Sequence, residues 1–411
     1  MKPKKIILFG LFGQQNLGND CTLQAMVHHT QKRLPDAEIK CICTGPEDLT
    51  TRYGIPAFDM YAPPHQGEPW NEKSPSTFLG KLASRARREL LHGVRAFRIL
   101  KDNDLLIVPG TGLLVDHSTG FRGYPYYLLK WAIIARLCAC RVFIVSVGAG
   151  PIHHPLSKFF IKTALSLAEY RSYRDAFSKE YIDRIGFKAN GDPVYPDLAF
   201  SLPQSALPRA SKRQELRLVV GVGLIDYYGQ GSKQGLKGQD AYHEYIDKNG
   251  AFIEWLLDNE YRVRLIIGDV QYDTTARNDV LEYLKNRGVG LGDGRIIAES
   301  IHSVEDLLAQ LEGTDIVVSP RFHNIILALM LNKKAISLSY NYKFESLMAE
   351  LGLGEYCFSI DGLDVDSLIN QFIELEKKAE TLVPSLGQKT EEYRIALDRQ
   401  YYTILNELWR K

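Results

Sequence analysis

The sequence predicts an α/β protein of two doubly wound parallel-sheet domains facing each other across a cleft. Three observations predict it. Short apolar runs of strand length alternate with helical runs along the chain, the pattern of βαβ units with helices on both sheet faces. The series is interrupted once, after Phe200, by LPQSALPRASKRQELR, which carries prolines, serines and charges without periodicity, and then begins again. With 411 residues, 45% of them hydrophobic, the chain is long enough for two or three cores.

Residues 5–9 read as a first strand, followed by a glycine-bearing turn and a helix near residues 21–33. Residues 38–43, 105–108 and 142–147 are further strands, with a helix over 124–140 between the last two. The second series has strands at 217–222, 263–267, 315–318 and 335–340. From about residue 364 to 409 the pattern is helical, and in such an arrangement the last helix packs back onto the first domain. The expected boundaries are an N-terminal domain over 1–202, a linker over 203–216, a C-terminal domain over 217–375 and a helical segment over 376–411.

A formal net charge of +1 gives no case for nucleic acid as a partner. The six cysteines contain no C-x-x-C spacing, so zinc and dithiol redox sites lack a signal; Cys138 and Cys140 read as buried free thiols. The apolar run at residues 6–9 is too short for a signal-peptide core. No segment approaches the roughly 18 uninterrupted apolar residues of a membrane-spanning helix. The expected location is cytoplasmic, with thiols reduced.

One segment breaks the pattern. Residues 78–101 (Phe78 to Lys101) carry Lys81, Arg85, Arg87, Arg88, Arg95, Arg98 and Lys101 against a single acid, Glu89, while Leu82, Ala86, Leu90, Val94 and Phe97 recur at helical spacing. Two readings apply. The helix docks on an anionic membrane surface or a lipid-linked diphosphate acceptor, or it is a solvated helix with its apolar stripe packed on the sheet.

The residues suited to chemistry lie where strands end. At Ser319-Pro-Arg321-Phe-His323 an apolar strand leads into a helix, with Ser319 as the expected N-cap and Pro320 in the first turn. Such a helix start offers free N–H groups to an anion. Arg321 and His323, two apart, point to different sides, so one can face a ligand while the other braces the loop. Lys343 and Glu345 occupy the next junction, and two adjacent cation-bearing junctions at strand ends predict an anion pocket. Asn16 and Asp20 stand at the start of the first long helix, as caps or as site residues. Gly110-Thr111-Gly112 and Asp116 follow a strand directly, which suits either a backbone site for an anion or sugar or a tight turn. His117 follows in the loop. Arg174 either pairs with a carboxylate or clamps a ligand, and Asp175 or Ser178 caps the helix after it.

Together, Asn16-Leu-Gly18, Pro109-Gly-Thr-Gly-Leu-Leu-Val-Asp116, Arg174-Asp175-Ala-Phe-Ser178, Tyr195-Pro-Asp197, and Ser319-Pro-Arg321-Phe-His323 followed by Ser339-Tyr340-Asn-Tyr-Lys343 resemble the polysaccharide pyruvyl transferases over nearly the whole chain. The resemblance implies two Rossmann-like domains in a GT-B-like arrangement. It implies transfer of a pyruvyl group from phosphoenolpyruvate to sugar hydroxyls, with a ketal formed and phosphate released. It assigns His323, Lys343 and Arg174 to the donor site. Arg321 and Ser319 join them as donor-binding candidates, and His323 is the candidate acid/base. Asn16, Gly110, Thr111, Gly112 and Asp116 are the candidates for the acceptor side or the cleft lining. The scheme requires no metal and no cofactor beyond phosphoenolpyruvate as substrate. The expected partners are phosphoenolpyruvate and a sugar or lipid-linked oligosaccharide, and a homo-oligomer is compatible with the sequence. The chain departs from the family where Gly18-Asn19-Asp20-Cys21 and Gly110-Thr111-Gly112 stand, and residues 226–245 look like an insertion of open role. Two other functions fit the same pattern: a GT-B glycosyltransferase with a nucleotide-sugar donor, and a non-catalytic sugar-binding relative.

Overall fold

The computed structural model describes residues 4–62, 78–116, 120–208, 217–229 and 236–408. Residues 209–216 of the expected linker, His117 and residues 230–235 of the insertion lie outside them. Contacts divide the chain into two units: residues 1–14, 22–198 and 399–411 form one, and residues 15–21 and 199–398 the other.

The strands of the first unit are β1 (Lys5–Gly10), β2 (Glu38–Cys43), β3 (Ala57–Asp59), β4 (Leu105–Pro109), β5 (Arg141–Val147) and β6 (Tyr170–Tyr173). They pair in parallel in the order β3-β2-β1-β4-β5-β6. Ile6, Ile7, Leu8 and Phe9 of β1 are all fully buried, the continuous apolar run that a central parallel strand needs when both faces are covered. The crossovers are α1 (Leu17–Arg33), α2 (Pro46–Tyr53), α3 (Phe78–Leu100), α4 (Tyr124–Leu137) and α5 (Pro155–Leu167), and α6 (Ala176–Arg184) follows β6. Trp131 of α4 is buried and donates its indole N–H to the Met60 carbonyl at 2.9 Å.

The second unit repeats the plan. β7 (Val219–Leu224), α7 (Leu236–Asp258), β8 (Arg262–Ile267), α8 (Val270–Asn286), β9 (Ile296–Ile297), α9 (Val304–Glu312), β10 (Ile316–Ser319), α10 (Phe322–Met330), β11 (Lys334–Ser339), α11 (Tyr342–Glu350) and β12 (Cys357–Ser359) alternate. The order is β12-β11-β10-β7-β8-β9, again all parallel. Counted from its own first strand, each sheet runs 3-2-1-4-5-6, so each has one topological switch point, between β1 and β4 and between β7 and β10. The chain ends in α12 (Val365–Lys377) and α13 (Ala379–Tyr402). Gln400 counts with the first unit, where its side chain accepts from the Ser146 hydroxyl and donates to Ser172.

Helix α3 forms where its periodicity predicts, but the packing expected of its apolar stripe is overturned. Leu82, Leu90, Val94 and Phe97 are 54%, 68%, 42% and 46% exposed, and the helix is buried instead through His92, Ala96 and Leu100. The reason is the neighbouring α4: Lys130 and Tyr126 reach Glu89 at 2.6 Å each, and the His92 ring stands edge-on to Tyr127 and Trp131. Those partners turn the stripe away from the protein. Among the described residues no helix is long and apolar enough to cross a membrane. None of the six cysteines forms a disulfide among the described residues; burial pushes the Cys140 thiol up to about 12, whereas Cys138 is half-buried rather than buried.

Candidate active site

At the switch point of the second unit, β7 and β10 lie so close that a side chain on Gly223 would put its Cβ 2.1 Å from the Ser319 Oγ. Only glycine fits there. Ser319 ends β10, fully buried, and its hydroxyl accepts the Arg321 N–H at 3.1 Å. The sequence places the N-cap at Ser319 and Pro320 within the helix. The structure corrects this: α10 starts at Phe322, and its N-cap is Arg321, whose side chain makes no cap bond. Extended backbone runs through Ser319 because that residue still belongs to the sheet, pairing with Ser337 of β11.

The helix that follows is buried along eight of its nine residues, and His323 is the one that is not. A helix apolar all round belongs in a core, and His323 is the residue of its first turn that is only partly buried, with its Nε2 inside the protein. The ring lies against backbone. A Cβ on Gly18 would sit 2.1 Å from His323 Nδ1 and 2.5 Å from its Cγ. Gly18 reaches this position because residues 15–17 pair with the segment after β8. Asn16 and Asp269 form an antiparallel bridge, the Leu17 N–H donates to Gly268 O at 3.0 Å, and the Asn16 amide donates to the Asp269 carboxylate at 3.0 Å. Asn16 also accepts from the Asn19 N–H, which caps the start of α1. It therefore serves as cap and as tether together.

Arg321, at the N-cap, pairs with the start of α8. Its Nε donates to Asp273 at 2.8 Å and its Nη2 to the second Asp273 oxygen. Asp273 is fully buried and also accepts the N–H groups of Gly268 and Asp269. Burial would lower the Arg321 pKa, but the Asp273 charge more than offsets it and holds the guanidinium protonated. Arg321 thus braces the loop between β8 and α8. Asp269 caps α8 through the Tyr272 N–H. Burial pushes its carboxyl above the ordinary value, with Asp273 adding to the rise and Arg321 and Asn16 opposing it.

Lys343 follows the N-cap Asn341 of α11, and its ammonium lies 5.1, 5.4 and 5.7 Å from the ring centroids of Phe322, Phe344 and Tyr340. Aromatic faces hold a cation without neutralising it. Glu345 accepts from the Ser339 hydroxyl at 3.4 Å.

The second unit therefore brings together Asn16, Ser319, Arg321, His323 and Lys343 at the carboxyl ends of β8, β10 and β11. Arg174 and the Gly110–Asp116 candidates belong to the first unit. Arg174 lies 3.3 Å from Asp197 and 3.6 Å from Asp175, and Asp175 caps α6 through the Ser178 N–H. Gly110 takes a φ of +27°, its N–H donating to Val145 O; Thr111 is buried and Gly112 is exposed. The Asp116 carboxylate accepts from the backbone N–H groups of His153 and His154 and anchors that loop. Burial would raise its pKa, but these backbone bonds hold it below the usual carboxylate value.

Sequence reasoning reads Asp269 only as part of a small turn after Ile267-Gly268, and missed Asp273 and Asn324. The aspartates carried a signal: two of them four apart after Ile267-Gly268 put one at the cap of α8 and one on the same face a turn later. Asn324 carried none. It is 1% exposed in the first turn of α10, and neither end of its amide has a hydrogen-bond partner among the described residues.

The family model that matches this chain is described as polysaccharide pyruvyl transferase and spans residues 16–342. No curated protein compared with the chain matches it. Among solved structures, UDP-GlcNAc 2-epimerase from Neisseria meningitidis bound to UDP-GlcNAc is similar at 12% identity, covering 99% of this chain and 100% of that one, with a TM-score of 0.58. HepE from Anabaena in complex with UDP and glucose is similar at 15% identity, over 98% and 100% of the two chains, with a TM-score of 0.60. A glycosyltransferase from Rickettsia africae is similar at 11% identity, over 99% and 100%, with a TM-score of 0.58. These neighbours are epimerases and glycosyltransferases of the GT-B fold, and at such identities the likeness is one of fold.

Proposed function

The chain belongs to the polysaccharide pyruvyl transferase family, and from that premise we propose that it moves a pyruvyl group from phosphoenolpyruvate onto two hydroxyls of one sugar, in a cell-surface polysaccharide or its lipid-linked precursor. The methylene carbon of phosphoenolpyruvate takes a proton, which makes C2 electrophilic. One sugar hydroxyl adds to C2, and a second displaces phosphate to close a cyclic ketal. The products are the ketal and inorganic phosphate, and no oxidant or reductant is consumed.

The observation that carries the proposal is His323, the one residue of α10 that is not buried, in a first turn lined by N–H groups at a strand's carboxyl end. An imidazole there suits proton delivery to carbon. Lys343, whose ammonium lies over three rings, is the candidate cation for a phosphate or carboxylate. The Asn324 amide offers a buried donor and acceptor in the same turn.

The test supplies phosphoenolpyruvate with candidate sugar acceptors and follows phosphate release and a new ketal methyl signal by NMR. His323→Ala should lower turnover by about 10²–10⁴-fold, the usual share of a general acid/base, while phosphoenolpyruvate still raises the melting temperature. A ligand at 100 times its Kd stabilises by about 2.7 kcal/mol, and Lys343→Met should reduce that gain. If nucleotide sugars stabilise the protein, phosphoenolpyruvate does not, and no acceptor elicits phosphate release, the proposal fails in favour of a glycosyltransferase.

A further inference from the structure

Helix α3 has a face that the site chemistry does not use. Of the sixteen large hydrophobic side chains exposed among the described residues, nine lie on α3, α4 and α5: Leu82, Leu90, Leu91, Val94 and Phe97 on α3, Ile133 and Leu137 on α4, and Leu156 and Phe159 on α5. These three helices are neighbours, with α4 packed against both others. On α3 and α4 the register is defined by two contacts. Lys130 meets Glu89, and eight residues further along both helices the Cys138 Sγ meets the Phe97 carbonyl at 3.9 Å. The helices thus run side by side in the same direction. Leu137, 74% exposed, stands one residue before the second contact. The apolar side chains therefore concentrate on one helical layer instead of scattering singly, and such concentration marks an interaction surface.

The charge on that layer selects the occupant. Residues 78–101 hold seven basic side chains against one acidic. Arg85, Arg87, Arg95, Arg98 and Lys101 are exposed, and the one acid, Glu89, is occupied by Lys130 and Tyr126. Apolar residues at spacings of four, four, four and three, interleaved with arginines, form the surface of a helix that lies in a lipid–water interface. A second copy of this chain would bring a second arginine cluster against the first, and the like charges oppose that pairing. An anionic bilayer meets both features at once, the chains entering the acyl boundary and the guanidinium groups engaging headgroup phosphates.

We propose that the exposed face of α3, with Ile133 and Leu137 of α4 beside it, docks this protein on an anionic membrane surface. The inference does not depend on which donor or acceptor the enzyme uses. It gives an enzyme with a lipid-linked acceptor a way to meet that acceptor at the membrane.

The experiment measures co-sedimentation of the full chain with vesicles of phosphatidylcholine alone and of phosphatidylcholine with about one-third phosphatidylglycerol. Binding is expected to the anionic vesicles and to fall with added salt. Each exposed arginine should contribute about fivefold to partitioning, so Arg87→Ser, Arg95→Ser and Arg98→Ser combined should weaken it about 100-fold. Leu90→Ser with Phe97→Ser should weaken it while leaving the circular dichroism spectrum unchanged, since both side chains already face water. Equal binding to both vesicle types, no binding to either, or binding unaffected by the substitutions overturns the proposal. So does a dimer, seen by sedimentation, that Leu90→Ser and Phe97→Ser dissolve, which would assign the face to a second copy. Capture of the face by an acidic protein, in the absence of vesicle binding, overturns it as well.

Discussion

Replacing Gly18 with alanine tests the contact that holds His323. An added Cβ would lie 2.1 Å from Nδ1, 2.5 Å from Cγ and 2.8 Å from Cε1 of the ring. Ordinary carbon contacts lie at about 3.5 Å, so the ring must shift by about 1.4 Å. The short distance to Cγ means the whole ring moves, not merely its outer edge. A displacement of about 1 Å at a reacting group can cost about 100-fold in rate, and Gly18→Ala is expected to lose about that much turnover. Its effect on stability has two opposing parts. Alanine favours the helix by at most about 1 kcal/mol, less in a first turn, and overpacking against the ring costs about 1–3 kcal/mol. A double-mutant cycle separates them. In a His323→Ala background the obstruction is gone, and Gly18→Ala should then be neutral or stabilising by up to about 1 kcal/mol. Urea denaturation of the four proteins should give a coupling energy of about 1–3 kcal/mol. Full turnover in Gly18→Ala, or stability changes that simply add, would refute the packing of His323 on Gly18.

Two further outcomes follow from the buried carboxylates. Asp273→Ala strands the Arg321 guanidinium and two backbone N–H groups, and should cost about 3–5 kcal/mol in chemical denaturation, as breaking one side of a buried ion pair does; a cost below 1 kcal/mol would show that the pair is solvated. Asp116 has a folded pKa below its unfolded value of 3.8, so its bonds to the His153 and His154 N–H groups stabilise fully above that value and are lost as pH falls through the folded pKa. Asp116→Asn should therefore be less stable than the wild type at pH 7, with the gap closing below about pH 3.8; a gap that stays constant into acid would show that the charge contributes nothing.

The fold was legible in the sequence because parallel strands buried on both faces must be continuously apolar. Residues 38–43 are delimited in the sequence as they are in the sheet, and 105–108 and 142–147 to within one residue. The short strands β3, β9 and β12 were not legible, since two or three residues carry no period and exist only because an edge of the sheet accepts them. At the site, the cluster of Ser319, Arg321, His323 and Lys343 was visible as polar residues at strand ends. What Arg321 does was not, because its partner Asp273 is 48 residues away and shares no local pattern with it.

Alone, then, the sequence determined the alternation of elements, the family, and which junctions carry cations and an imidazole. These are local properties, written in spacing and residue type. Tertiary structure decided which of those groups is spent. Arg321 is bound to a buried aspartate, Asp116 is taken up by backbone N–H groups, and His323 is packed against Gly18 on a helix that is otherwise core. It also decided that the apolar stripe of α3 faces outward, because Glu89 and His92 are claimed by α4 and a helix can turn only one face to its neighbour.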